Sequence, residues 1–146
     1  MLDKVYEGDV ASLAGQDLGA PYDVIVASEV LEHLVEPWTV VNTLAQMLRP
    51  GGLFLASSPN VANKDLVADL LRGRFDYQAQ GVMDQTHLRW FTPRSFARMF
   101  SEAGLTVLSC EPLVPLRRKA RLLDAITLGR LRHLFFSQMV LVARRD

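Results

Sequence analysis

Two carboxylates and two imidazoles draw attention first. Glu29, Glu32 and His33 are spaced E-x-x-E-H, and His87 lies further downstream. The first three fall within about one turn of a helix start, so their side chains could converge. Such a set supports two chemistries. An imidazole titrates near neutral pH, which makes His33 and His87 candidate general bases. Oxygen and nitrogen donors together would also suit Mg, Mn or Zn, with Glu29, Glu32, His33 and His87 as ligands. A plainer reading leaves Glu32 and Glu36 solvated and the two histidines lining a polar pocket. The metal set is an alternative to the leading, metal-free reading.

The surrounding elements decide whether these groups meet. Tyr22–Ser28 (YDVIVAS) is a near-continuous apolar run of the kind buried in a parallel sheet, so Glu29 directly follows a strand. Pro37 sits at a helix start, and Val40, Val41, Leu44, Met47 and Leu48 give that helix one apolar stripe. Pro50-Gly51-Gly52 should stop it and turn the chain into a strand at Leu53–Ser57. Asp65–Leu71 reads as a helix. Residues 73–91 are irregular, polar and aromatic, and a loop of that length inside a domain is usually functional. Phe75, Tyr77, Trp90 and Phe91, with Arg72, Arg74 and Arg89, could form a lid, Trp90 and Phe91 facing the core. Thr92-Pro93 is an N-cap followed by proline at N1. Phe96, Met99, Phe100 and Ala103 form the next buried stripe, and Thr106–Cys110 the next strand. Leu116–Leu131 reads as a basic amphipathic helix and Gln138–Ala143 as the last strand. A short strand is also expected at Lys4–Glu7. This alternation predicts an α/β sheet.

Three blocks, YDVIVASEVLEHLVEP, LAQMLRPGGLFLASSPN and HLRWFTPRSFARMFSEAGL, carry a family resemblance. Together they resemble the C-terminal two-thirds of class I S-adenosylmethionine-dependent methyltransferases, closest to the small-molecule branch that includes the ubiquinone-biosynthesis O-methyltransferases. The resemblance implies a Rossmann-like sheet, mostly parallel with an antiparallel last strand and truncated at its N-terminal side. It implies S-adenosylmethionine as cofactor and methyl transfer to a small-molecule acceptor, with O-methylation expected. Asp9 matches the acidic position that hydrogen-bonds the adenine amino group, with Val10 beside it. Ser28, Glu29 and Val30 match residues lining the pocket near the methionine moiety. The E-x-x-E-H motif with a distant histidine also resembles the metal site of RNA 3′-terminal-ribose methyltransferases.

The sequence departs from that family in one respect. Nothing before Gly8 reads G-x-G, and no acid ends a second strand to bind the ribose hydroxyls. The expectation is a single incomplete domain over residues 1–146, with 115–132 a helical excursion, that belongs to an enzyme family but is inactive and binds cofactor poorly by itself. The rival expectation is a non-catalytic fragment, pseudoenzyme or assembly module. Without its neighbours, the apolar Val24–Ala27 run would have an open edge, which points to a homodimer pairing there.

Composition narrows the partners. Apolar residues make up 49% and charged residues 22% of 146, and the formal net charge is zero, so nothing global points to nucleic acid. Residues 115–146 carry eight Lys/Arg against Asp124 and Asp146, a net of +6. A solvated helix face and a membrane-surface or polyanion site at Leu116–Leu131 are the two readings of that asymmetry. Cys110 lies in an apolar run and reads as a buried small hydrophobe. No run is long enough to cross a membrane, no secretory h-region is visible, and a lone cysteine fits a reducing compartment, so a cytoplasmic protein is expected.

Overall fold

The apolar strand before Glu29 forms as its sequence dictates. The structure, a computed structural model of the chain, describes residues 5–12, 19 and 21–146. Its elements are β1 (Tyr22–Ser28), α1 (Pro37–Met47), β2 (Leu48–Pro59), α2 (Lys64–Leu71), α3 (Pro93–Glu102), β3 (Leu105–Pro112), α4 (Arg118–Ile126) and β4 (Gln138–Arg145). The strands form one sheet in the order β1-β2-β4-β3. β1 and β2 pair in parallel, while β4 runs antiparallel to both β2 and β3. β1, β2 and β3 therefore share one direction and the last strand alone is reversed. This is the Rossmann-like α/β arrangement that the resemblance implied.

The core lies on one side of the sheet, under α1 and α3. Val41 and Ala45 of α1 and Phe96, Met99 and Phe100 of α3 meet Phe54, Ala56, Leu141 and Ala143 of the sheet. Phe54 packs edge-on against Phe100 with ring centroids 5.0 Å apart, and Phe96 meets Phe100 at 5.3 Å. Thr92 caps α3 in a reciprocal box, accepting from the Ser95 amide while its own amide donates to the Ser95 hydroxyl. The opposite face presents Val24 and Val26 of β1, aligned with Leu53 and Leu55 of β2. No residue of that face belongs to the buried core. Val24 is 49% and Val26 66% exposed.

Four expectations change. Val5–Glu7 form no strand, and Lys4 lies outside the described residues; a short lone strand with nothing to pair with is not stable. Pro50-Gly51-Gly52 does not end α1, which stops at Met47. There the Arg145 guanidinium donates to the carbonyls of Gln46 (2.7 Å) and Leu48 and closes the helix C-terminus. The basic helix is shorter than read, because Leu128 (φ 51°) and Gly129 (φ 76°) turn the chain out of it. Trp90 packs with Phe75 and Tyr77 at centroid distances of 6.0 and 6.2 Å, while Phe91 alone joins the core.

The Pro-Gly-Gly segment instead forms a bulge within β2. Tyr22 pairs with Leu48 but Val24 pairs with Leu53, so β2 spends four residues where β1 spends one. Its two glycines are there for different reasons. Gly51 has φ +78° in open space, whereas a Cβ on Gly52 would lie 2.9 Å from the Arg49 carbonyl oxygen and 3.1 Å from that of Tyr22. Gly51→Ala should cost about 1 kcal/mol of left-handed strain. Gly52→Ala must shift the backbone that starts the β1–β2 pairing and should cost on the order of 2 kcal/mol. Urea denaturation of both variants checks this, and an unchanged midpoint in Gly52→Ala would show that the bulge yields freely.

Candidate functional site

In open α/β sheets, ligands sit beyond the carboxyl ends of the parallel strands. Here the parallel pairing of β1 with β2 ends at Ser28 and Ser57, which are paired in register. Glu29 follows with φ 52°, a left-handed conformation that a non-glycine residue holds only under constraint. The constraint is visible. The Glu29 amide donates to Ser57 Oγ (3.1 Å), Ser57 Oγ donates to Glu29 Oε1 (2.7 Å), and Gln138 Nε2 donates to Glu29 Oε2 (2.8 Å). Ser28 Oγ lies 3.0 Å from Ser57 Oγ. The bend leads through Val30 into a 3₁₀ turn at Leu31–His33.

That turn directs Glu32 inward and His33 outward. Glu32 is 1% exposed, and neither of its carboxylate oxygens accepts a hydrogen bond. Burial pushes its pKa from the ordinary 4.5 to about 7, and the Glu29 carboxylate adds to the rise. Its backbone carbonyl accepts from the amides of Leu88 (2.8 Å) and Arg89 (3.0 Å), which pins the end of the long loop to the turn. His87, buried, is thereby brought to His33, with ring centroids 4.8 Å apart. The potential ligand atoms of Glu32, His33 and His87 all lie within 4.8 Å of one another.

The two imidazoles are also held in one tautomer. His33 Nδ1 lies 3.2 Å from the Thr86 carbonyl oxygen, and His87 Nδ1 lies 3.2 Å from that of Val82. His33 Nδ1 also lies 3.2 Å from Thr86 Oγ1, and a carbonyl only accepts, so the contacts with Thr86 and Val82 place a proton on each Nδ1. Thr86 is itself fixed by Asp84, whose carboxylate accepts from the Thr86 amide (2.8 Å) and hydroxyl (2.7 Å). Those two bonds hold the Asp84 carboxyl below its usual range.

The sequence-based site residues separate into groups. His33 and His87 come together with Glu32. Glu29 bonds Ser57 and Gln138 through its carboxylate and stays close enough to Glu32 to help raise its pKa. Ser28, Glu29 and Val30 form the shelf at the end of β1. Asp9 is exposed and accepts from the Ala11 amide at 2.9 Å, in a 3₁₀ turn that begins at Val10. Ser57, Gln138 and Asn60 were missed. Asn60 is fully buried and donates through Nδ2 to the carbonyls of His133 (2.7 Å) and Phe136 (2.9 Å), tying the end of β2 to the start of β4. The available signal was polar residues inside an apolar strand, S-S-P-N after L-F-L-A.

The chain matches the family described as "Methyltransferase domain" over residues 3–110. It is 34% identical over 106 residues to the ubiquinone biosynthesis O-methyltransferase of Burkholderia pseudomallei (strain 1710b), covering 70% of this chain and 44% of the relative. Among solved structures, it resembles a SAM-dependent methyltransferase from Archaeoglobus fulgidus with a TM-score of 0.66 at 14% identity, covering 96% of this chain and 66% of the other. It also resembles magnesium protoporphyrin IX methyltransferase from Synechocystis PCC 6803, which holds S-adenosylhomocysteine (TM-score 0.57, 16% identity, 95% and 49% coverage). At these identities the two structures establish the fold. The chain thus spans less than half the length of the curated relative. By its sequence match and its fold, it belongs to the class I S-adenosylmethionine-dependent methyltransferases.

Proposed function

We propose that this chain carries the acceptor side of a methyltransferase that moves a methyl group from S-adenosylmethionine to an oxygen of a small molecule, within a longer domain. The observation that carries the reading is the pair of imidazoles at the carboxyl end of β1, with ring centroids 4.8 Å apart and each held through Nδ1. Bound there, the cofactor supplies an electrophilic methyl on a positive sulfur, and its thioether is the leaving group. An imidazole Nε2 takes the proton that the acceptor hydroxyl loses as its oxygen is methylated. The relatives are named for O-methylation in ubiquinone biosynthesis, which supports an oxygen acceptor. The bare face beneath Val24 and Val26 supports a longer domain, because parallel strands are normally covered on both faces.

The described residues fit the cofactor only in part. The shelf of Ser28, Glu29 and Val30 is in place, but Asp9 stands in solvent, and no glycine-rich turn precedes β1 among the described residues. The isolated chain should therefore show no micromolar binding of S-adenosylmethionine by calorimetry. Joined to the unmatched part of the Burkholderia relative, it should bind the cofactor and methylate a hydroxyl acceptor. In that fusion, His33→Ala or His87→Ala should lower kcat roughly 100-fold or more while leaving cofactor affinity unchanged. A fusion that binds cofactor yet turns over equally without both histidines would dismiss the general-base assignment.

Two observations favour a second reading, in which the same cluster holds a divalent cation. Glu32, His33 and His87 converge, and the buried Glu32 carboxylate has no hydrogen bond. Donors at roughly 2.0–2.6 Å from one ion can stand up to about 5 Å apart, so the observed spacing is within reach. Mg, Mn or Zn should then raise the melting temperature of the chain, and His87→Ala should abolish the rise. No shift with any of the three ions would end this reading.

Glu32 makes a separate prediction in the presence of chelator. Folding keeps its proton on to higher pH than the unfolded chain does. Stability from the neutral acid is therefore complete below pH 4.5 and is lost as the pH climbs to about 7, by up to about 3 kcal/mol. The melting temperature should fall across that window, and Glu32→Gln should flatten the fall. An identical slope in the Gln variant would assign the pH dependence to other groups.

A further inference from the structure

We propose that the excursion between β3 and β4 docks on an anionic lipid surface, with the outer row of α4 as the contact. The apolar side chains of α4 face away from the core. α1 and α3, which build the core, turn their large apolar residues inward, but α4, like α2, has no buried residue. Its least exposed row is Ala120 and Asp124, four residues apart. The Asp124 Oδ1 atom is buried without a hydrogen bond and lines a cavity of about 440 Å³ between the helix and Glu111 of β3. Its most outward row is Arg118, Leu122 and Ile126, spaced at i, i+4 and i+8, with Leu122 63% and Ile126 68% exposed. Leu128, in the left-handed turn that ends the helix, is 81% exposed. A nine-residue helix is marginal in water on its own, and leucines in water add nothing to it.

Charge selects the occupant. Arg117, Arg118, Lys119, Arg121 and Arg130 form no ion pair among the described residues. Lys119 and Arg121 flank the Leu122–Ile126 row on either side of the helix axis. Aliphatic side chains at the centre of a basic face match the boundary between anionic headgroups and acyl chains. A second copy of the chain is disfavoured, because a symmetric contact would bring the same cations together. A nucleic acid would use the cations but leave Leu122 and Ile126 without a role. No helix among the described residues is long and apolar enough to cross a membrane, so the contact is peripheral.

The test is flotation of the chain with vesicles of phosphatidylcholine alone and of phosphatidylcholine mixed with phosphatidylglycerol. Binding is expected only to the anionic vesicles and should weaken with salt. Leu122→Ser with Ile126→Ser should lower the partition coefficient about tenfold or more, and Arg118→Glu with Arg121→Glu should abolish binding. None of these residues is buried, so both variants should keep the wild-type melting temperature. Absence of binding to anionic vesicles overturns the proposal. Loss with the charge variant alone also overturns it, in favour of a polyanion site, as does equal competition by RNA with both aliphatic residues dispensable. Sedimentation as a dimer that the Leu122/Ile126 variant dissociates, without vesicle binding, would make α4 a contact between copies.

Discussion

The parallel pairing of β1 with β2 positions every group of the candidate site, and the Ser57 hydroxyl carries that pairing into the turn beyond it. One hydroxyl offers one donor and two acceptor positions, and Ser57 uses all three. It donates to Glu29 Oε1, accepts from the Glu29 amide and meets Ser28 Oγ, which must therefore be the donor of that contact. A glutamate in the left-handed region costs on the order of 1–2 kcal/mol, and these bonds offset the cost locally. The bend they hold is what sends Leu31 and Glu32 into the interior. Replacing the bend by extended chain would carry Glu32 and His33 past the loop residues that meet them.

The sheet is asymmetric in a way that its hydrogen bonds do not reveal. Every strand is paired, yet the buried core occupies one face only. Burying an exposed valine is worth roughly 1.5 kcal/mol or more, which Val24 and Val26 forgo. Leu53 and Leu55, on the same face, are shielded only partly by their neighbours. Such a sheet holds together through the aromatic stack of Phe54, Phe96 and Phe100 and through Arg145, which reaches from the last strand to the end of α1. The chain thus contains one full layer of an α/β sandwich, with a surface suited to a second.

Much of this was legible in the sequence, where a local pattern had a local cause. β1 and β4 follow apolar runs, α3 follows its cap, and the alternation of elements implies the sheet. The failures have long-range causes. The bulge at Pro50-Gly51-Gly52 depends on β1 lying against Gly52, and the end of α1 depends on Arg145, almost a hundred residues away. The site was legible by residue type but not by partner. E-x-x-E-H marked Glu32 and His33, but the spacing could not show that Glu29 would also bond Ser57 and Gln138. Nor could it show that Leu88 and Arg89 would bond the Glu32 carbonyl and so bring His87 alongside.

The two histidines, similar in sequence terms, are made different by burial. His87 is 7% exposed with its Nδ1 3.2 Å from the Val82 carbonyl oxygen, whereas His33 is exposed and its Nδ1 faces Thr86. A general base must pass its proton to water after each turnover, and only an exposed ring does this without moving. A ligand or orienting group has the opposite need, a fixed ring in a site that excludes water. His33 is thus suited to the proton and His87 to holding geometry. One lone pair cannot bind a cation and a proton together, so if a cation occupied His33 Nε2, the described residues would offer no other exposed imidazole at the end of β1. The exposure of His33 therefore favours the metal-free reading, while the unpaired carboxylate of Glu32 pulls the other way. The charge state of that one buried acid decides between them.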